Sequence, residues 1–100
     1  PAQVLVTVFD EDSLLDSLRL AAELRARGAN TIVFTEPVRL QKQLKFADKA
    51  GVRFVVIVGP DERQAGQVTV KDLAAREQTS LSREQAAAFL SQKLAKAEAV

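Results

Sequence analysis

Three short runs of apolar and β-branched residues constrain this chain more than any other feature. They cover residues 3–9, 30–34 and 53–58, and segments with apolar residues at helical spacing separate them. Strands that are apolar on both faces are typical of a parallel sheet covered by helices on both sides. The alternation predicts a β-α-β-α-β unit with right-handed crossovers, in which the first strand lies in the middle of the parallel part.

Helix-end signals bound the two helical segments between these strands. The first begins after Asp10, a typical N-cap residue, and ends at Gly28, which suits the position just past a helix. The second covers residues 38–50, after a break at Pro37 and before Gly51. Both connections are therefore short helical crossovers.

The pattern changes after the third strand. Residues 60–65 are predicted to form a polar turn or a single helical turn. Residues 67–71 are predicted to form a half-exposed strand, and residues 77–81 a strand that pairs back as a hairpin. A last helix over residues 83–96 follows a capping box of Ser82 and Gln85. The whole order is β-α-β-α-β-β-β-α, in a single α/β domain over residues 1–100.

Composition excludes several classes of chemistry. The chain has no cysteine and no histidine, which removes thiol catalysis, the commonest general base and the commonest metal ligand. The longest apolar run is too short to cross a membrane. Asp10, Glu11 and Asp12 form an acidic cluster after the first strand, where a Mg²⁺ site is one interpretation, but helix capping is the favoured one. We therefore predict no catalytic and no metal site in this chain.

The charge distribution is more informative than the net charge of +1. Arg39, Lys42, Lys45 and Lys49 fall within an arc of about 120° on the second helix. Such a basic face can bind phosphate groups, although spacing alone favours an ordinary solvated face. Phe9 ends the first strand beside the rim where open α/β sheets bind ligands, although core packing is the simpler role.

Several stretches together carry a family resemblance. Residues 43–51 read Q-L-K-F-A-D-K-A-G and residues 68–73 read V-T-V-K-D-L, with the apolar strand, Glu62 and Gly66 between them and Glu77-Gln78 after them. This ordered set resembles the C-terminal anticodon-binding domain of class IIa aminoacyl-tRNA synthetases, and is most similar to the histidyl members. The resemblance implies a mixed five-stranded sheet with three helices.

The resemblance also implies a function. Such a domain is not catalytic and needs no cofactor of its own; it clasps the anticodon loop of a tRNA, here implied to be a histidine tRNA. A separate class II catalytic domain, in a homodimeric and cytoplasmic parent enzyme, would use ATP and Mg²⁺ to charge the tRNA. This chain is then expected to be one isolated domain of a histidine–tRNA ligase.

The family's contact positions map onto four residues here, two lysines on the same helix as one of them add to these, and the resemblance implies no catalytic or metal-binding residue. The implied RNA-binding residues are Phe9, Arg39, Lys42, Lys45, Glu62 and Lys71. Phe9 would lie beside the anticodon bases and Arg39 would contact the RNA, while Lys42 and Lys45 would bind phosphates. Glu62 would accept a hydrogen bond from a base edge and Lys71 would donate one, with both side chains expected near one edge of the sheet.

Two departures from the family pattern stand out. Pro37 and Val38 occupy positions that are small in histidyl-type domains, and residues 74–76 replace a hairpin segment that usually contains glycine. The second departure concerns only the geometry of the turn.

Two other functions remain open at the level of sequence. A domain of the same fold can serve as a protein-interaction or dimerisation module without binding RNA. A receiver-like signalling module would use the acidic cluster, but it needs a phosphorylatable aspartate directly after the third strand, where this chain has Gly59 and Pro60 before Asp61.

Overall fold

Five strands and four α-helices make up the part of the chain that the structure, a computed structural model, describes: residues 1–36 and 38–98. Pro37 lies outside this part. The strands are β1 (Val4–Val6), β2 (Thr31–Val33), β3 (Phe54–Ile57), β4 (Gln67–Asp72) and β5 (Glu77–Ser82). The helices are α1 (Glu11–Ala26), α2 (Leu40–Lys49), α3 (Pro60–Ala65) and α4 (Ala86–Glu98), with a 3-10 turn at Arg83–Gln85 before α4.

The sheet has the strand order β2-β1-β3-β4-β5, so β1 lies between two parallel neighbours, as the crossover pattern predicts. Leu5 pairs with Ile32 on one side and with Val55 on the other. β4 and β5 add to β3 as an antiparallel hairpin, with Val55 opposite Lys71 and Lys71 opposite Gln78. The expected mixed five-stranded sheet is confirmed.

Alternate residues of the central strands bury opposite faces of the sheet. Val4 and Val6 pack into one apolar cluster with residues of α1 and α4. Leu5 and Val55 belong to a second cluster, where Ala47 of α2 covers them. α2, which carries Lys42 and Lys45 and follows Arg39, therefore lies on the opposite face of the sheet from α1 and α4.

The two edges of the sheet differ in length and polarity. β2 forms one edge with only three residues. β5 forms the other, and its first four residues, Glu77, Gln78, Thr79 and Ser80, are polar and exposed.

α2 begins at Leu40, two residues later than the pattern predicts. A helix that began at Val38 would direct the Lys42 N–H to the Val38 carbonyl. That N–H donates instead to the carbonyl of Arg39 at 3.0 Å. The Val38 carbonyl accepts a hydrogen bond from the side-chain amide of Gln43 at 2.8 Å. The Gln43 side chain therefore satisfies the carbonyl that an earlier helical turn would have used.

The segment after β3, predicted as a polar turn or a single helical turn, is a short helix of six residues. The described residues therefore contain four α-helices where the family resemblance implied three. Pro60 occupies the first turn of the short helix, where a missing N–H costs nothing. Gly66 ends the helix with φ +68°, a conformation that glycine adopts without strain. Six residues are too few for a helical period to be recognised in the sequence.

The acidic cluster caps α1, as the simpler interpretation predicts. The Asp10 carboxylate accepts from Ser13 N–H at 2.8 Å, and Asp10 N–H donates to Ser13 Oγ at 3.2 Å. The hydrogen bond from Ser13 N–H lowers the pKa of Asp10 below its ordinary value. Residues 1–36 and 38–98 contain no group of three or more acidic side chains that could hold a metal ion.

The β4–β5 turn is organised by Asp72. Its Oδ1 accepts from the N–H groups of Ala74 and Ala75, both at 3.1 Å, and its Oδ2 lies 3.3 Å from Arg53 Nη2. Burial raises the pKa of Asp72, but these hydrogen bonds and the Arg53 charge outweigh burial and hold the pKa below its ordinary value. Arg76 closes the turn with φ +57°, at a position where glycine would be free of strain.

Replacing Arg76 with glycine is expected to raise the free energy of unfolding by about 0.5–1 kcal/mol, because the strain of a left-handed Cβ disappears. Ala75→Gly is the matched control: Ala75 does not have a positive φ, so this variant should lose about 0.5–1 kcal/mol. Urea denaturation measures both effects. A loss of stability in Arg76→Gly as large as that in Ala75→Gly would contradict the assignment of strain to Arg76.

Candidate functional site

The carboxyl ends of β1 and β3 meet at Gly59, next to two predicted contact residues. Phe9 follows β1, and its half-buried ring packs on the α2 side of the sheet. A Cβ on Gly59 would stand 3.4 Å from Phe9 Cζ and only 2.6 Å from Glu62 Oε1. Glycine therefore allows Glu62 to approach the backbone closely. We call the corner formed by Phe9, Gly59 and Glu62 the rim.

Glu62 has one carboxylate oxygen engaged and one available. Oε1 accepts a hydrogen bond from the N–H of Gly59 at 2.9 Å, which also caps the first turn of α3. Oε2 has no hydrogen-bond partner among the described residues, and the side chain is half-buried. Because the engaged oxygen fixes the carboxylate, Glu62 presents an oriented acceptor for an N–H donor.

Three of the predicted RNA contacts lie together, two on α2 and one at its N-cap. Arg39, Lys42 and Lys45 line an open depression of about 510 Å³, together with Val38 and Gln41. The three cationic side chains are exposed, and none of them forms a salt bridge within residues 1–36 and 38–98. We call this surface the basic depression. It presents three unpaired positive charges to solvent.

Three arginines outside the basic depression are paired with acids. The pairs are Arg53 with Asp72 at 3.3 Å, Arg63 with Asp16 at 2.8 Å, and Arg83 with Glu23 at 2.6 Å. Each pair joins two different parts of the fold. Pairing therefore identifies these three arginines as cations that connect elements of the fold.

The start of α2 adds to the positive character of the basic depression. Arg39 is the N-cap residue; in the described chain its side chain makes no capping hydrogen bond, and the first turn contains no acid. α1, in contrast, begins with the capping carboxylate of Asp10. The first N–H groups of a helix carry partial positive charge and favour anions. The start of α2 is therefore electrostatically suited to a phosphate.

Lys71 is not part of the rim. The register places Lys71 opposite Val55, four residues before Gly59 along β3. This separation is roughly 13 Å along the strand. The expectation that Glu62 and Lys71 lie near one edge of the sheet is therefore wrong. The antiparallel direction of β4 carries its carboxyl end, where Lys71 lies, away from the carboxyl end of β3.

Gln43 is a buried polar residue whose importance the sequence pattern did not reveal. It occupies an inward-facing position of α2 and is completely buried. Its amide is hydrogen-bonded to the backbone of Val8 and of Val38, which precede Phe9 and Arg39. The available signal was a polar residue within the apolar stripe of an amphipathic helix, since buried polar groups require partners.

The topology decides against the receiver-like alternative. That module would continue the parallel β-α pattern after β3, whereas β4 and β5 are antiparallel. Asp10, the first acid of the cluster, is used as a helix cap.

No helix within residues 1–36 and 38–98 is long and apolar enough to cross a membrane.

Comparison with known proteins finds similar sequences among histidine–tRNA ligases. The histidine–tRNA ligase of Xylella fastidiosa (strain M23) is 44% identical over 96 residues, which is 96% of this chain and 21% of that protein. The histidine–tRNA ligase of Stenotrophomonas maltophilia (strain K279a) is 47% identical over 88 residues, or 88% of this chain and 19% of that protein. The chain thus spans about a fifth of the length of these curated relatives.

A solved structure and a family model match the chain as well. The crystal structure of histidyl-tRNA synthetase from Nostoc sp. PCC 7120 matches with a TM-score of 0.87 and 36% identity, over 94% of this chain and 23% of that one. The family model described as "Anticodon binding domain" matches residues 3–93. Because this match covers nearly the whole sequence, the chain belongs to the anticodon binding domain family.

Proposed function

We propose that this chain is the tRNA-recognition domain of a histidine–tRNA ligase and that it binds the anticodon loop of a histidine tRNA. The observation that carries the proposal is the basic depression, in which three cations without acidic partners in the described chain lie beside the start of α2. The proposal takes the tRNA and its identity from the relatives, which are histidine–tRNA ligases.

The two surfaces suit two different parts of an RNA loop. Arg39, Lys42 and Lys45 in the basic depression would contact phosphates, which position an RNA without specifying its sequence. The rim would contact bases, because unstacked loop bases are recognised by aromatic side chains and by hydrogen bonds. Phe9 offers an aromatic ring and Glu62 an oriented acceptor there.

Lys71 would contact a different part of the RNA from Glu62. Lys71 pairs with Val55 and is therefore separated from the rim along the direction of β3. Lys71 is half-buried, and it is next to Gln78 of β5. We propose that Lys71 donates a hydrogen bond to one part of the RNA loop, while Glu62 and Phe9 contact a different part of the same loop.

The proposal assigns the chemistry to another part of the protein. A separate class II catalytic domain would activate histidine with ATP and Mg²⁺ and transfer it to the tRNA, in a homodimeric enzyme of the cytoplasm. Residues 1–100 would form the anticodon-binding domain, and their task would be to position the tRNA. The alternative, a module of this fold that binds proteins without RNA, is not favoured, because the relatives are tRNA ligases.

Binding of a histidine tRNA anticodon stem-loop tests the proposal directly. We expect the matched stem-loop to bind more tightly than one with a scrambled loop. For three phosphate contacts, the logarithm of the binding constant should fall with the logarithm of salt concentration with a slope of about −2 to −3. Isothermal titration at several salt concentrations gives both quantities. Equal affinity for the two loops would contradict base recognition, and a stable oligomer that binds neither RNA would favour the protein-interaction alternative.

Lys42→Ala is expected to weaken matched and scrambled stem-loops alike, by roughly fivefold at 0.1 M salt, and to make the salt slope less negative by about 1. The reason is that Lys42 would contact a phosphate and not a base. Lys96→Ala on α4 removes the same charge from the other side of the sheet and serves as control. A similar loss of affinity in both variants would show that only total charge matters.

Glu62→Gln is expected to lower the preference for the matched loop by about tenfold, because an NH₂ group, which donates hydrogen bonds and cannot accept one, would replace the second carboxylate oxygen. Glutamine keeps an oxygen that can accept from Gly59 N–H, so the first turn of α3 should persist. Asp61→Asn, the same change of charge at the neighbouring exposed position, is the control. The two dissociation constants measured for each variant decide the matter: an unaltered preference in Glu62→Gln would remove Glu62 from base recognition.

A further inference from the structure

We infer that Gln43 is a positioning residue for base recognition, which holds the backbone beside Phe9 and beside Arg39 in the geometry that the RNA requires. The inference rests on the proposed function, because it assigns a role within the same interface. Gln43 itself is completely buried and would not touch the RNA.

The side-chain amide of Gln43 uses both of its donor hydrogens and its oxygen. Oε1 accepts from Val8 N–H at 3.1 Å, and Nε2 donates to the Val8 carbonyl at 2.8 Å. The same Nε2 donates to the Val38 carbonyl at 2.8 Å. One planar group therefore fixes two backbone segments that lie 30 residues apart in the chain.

The two hydrogen bonds to Val8 replace the bonds that a longer β2 would have made to the chain after β1. The pairing of β1 with β2 ends at Val6, whose carbonyl accepts from Phe34 N–H at 3.1 Å. Val8 is the next residue whose backbone groups point to that side, because the direction alternates along a strand. Gln43 supplies the donor and the acceptor that β2 no longer provides. Val8, and with it the adjacent Phe9, is thereby held in line with β1.

The bond to Val38 acts on the other surface. Val38 immediately precedes Arg39, the N-cap residue of α2, and both line the basic depression. Because one nitrogen of Gln43 donates to both carbonyls, a shift of Val38 relative to Val8 would break one of the two bonds. Gln43 thus fixes the spacing between the basic depression and the rim, where the phosphate and base contacts are proposed.

This geometry predicts different effects on the preference for the matched loop and on the overall affinity for RNA. If the link is lost, the cations of the basic depression remain on α2, and attraction to phosphates persists. Phe9 and Glu62 would no longer be held at a fixed position relative to those phosphates. Contacts to base edges depend on alignment, so preference for the matched loop should fall more than overall binding does.

Gln43→Met tests the inference, because methionine has a similar length but lacks the amide. We expect the ratio of dissociation constants, scrambled loop over matched loop, to fall about tenfold, with an unaltered salt slope. Val52→Ala is the control: Val52 is buried in the same cluster, and its N–H bonds to Ala47 O near the other end of α2. It should lose stability and keep the ratio. Circular dichroism confirms that each variant is folded at the temperature of the titration.

The outcomes separate the two proposals. A wild-type chain that binds both loops equally overturns the proposed function and the role of Gln43 with it. A wild-type chain that prefers the matched loop, together with an undiminished ratio in Gln43→Met, overturns the role of Gln43 alone. The role of Gln43 is also overturned if Val52→Ala lowers the ratio as much as Gln43→Met does, because the effect would then come from lost stability.

A measurement on the wild-type chain covers the case in which Gln43→Met fails to fold. Nuclear magnetic resonance resolves the side-chain NH₂ group of Gln43 and the backbone N–H of Val8. We expect both signals to shift when the matched stem-loop is added and to shift less with the scrambled loop at equal occupancy. Signals that respond to neither loop, or equally to both, overturn the positioning role.

Discussion

The chain segments that follow β1 and β3 depend on hydrogen bonds that buried side chains make to their backbones. Gln43 takes both polar groups of Val8, Ser17 Oγ donates to the Thr7 carbonyl at 2.7 Å, and Thr7 Oγ1 accepts from Val58 N–H at 3.3 Å. All three side chains are buried, and an unpaired backbone group in such a place would cost roughly 1–3 kcal/mol. Gln43 comes from α2, Ser17 from α1 and Thr7 from the segment after β1, so the rim depends on the packing of several parts of the fold.

The second organising principle is the distribution of charge. A net charge of +1 conceals an uneven use of the cations. Arg53, Arg63 and Arg83 are paired with acids and connect elements of the fold. The cations of the basic depression are exposed and have no such partners in the described chain. A surface of this kind attracts phosphate although the protein as a whole is nearly neutral.

Sequence patterns predicted the element order, the parallel core and the capping of α1, because apolar period and cap chemistry are local. They did not give the position of Lys71 relative to Glu62, since that position depends on the antiparallel pairing of β4 with β3, whose direction and register periodicity does not fix. The role of Gln43 was not predicted for a related reason. Its partners, Val8 and Val38, are backbone groups, and a sequence does not indicate which backbone groups a fold leaves without a strand.

The polar edge of the sheet has a consequence for how this domain behaves as a separate unit. An edge strand presents unpaired N–H and C=O groups that invite pairing with another chain and, from there, aggregation. β5 carries Glu77 and Gln78 along its exposed start, and β2 offers only three residues at the opposite edge. Neither edge is a long apolar template. The fold can therefore carry a binding surface on one face while its open sheet resists association edge to edge.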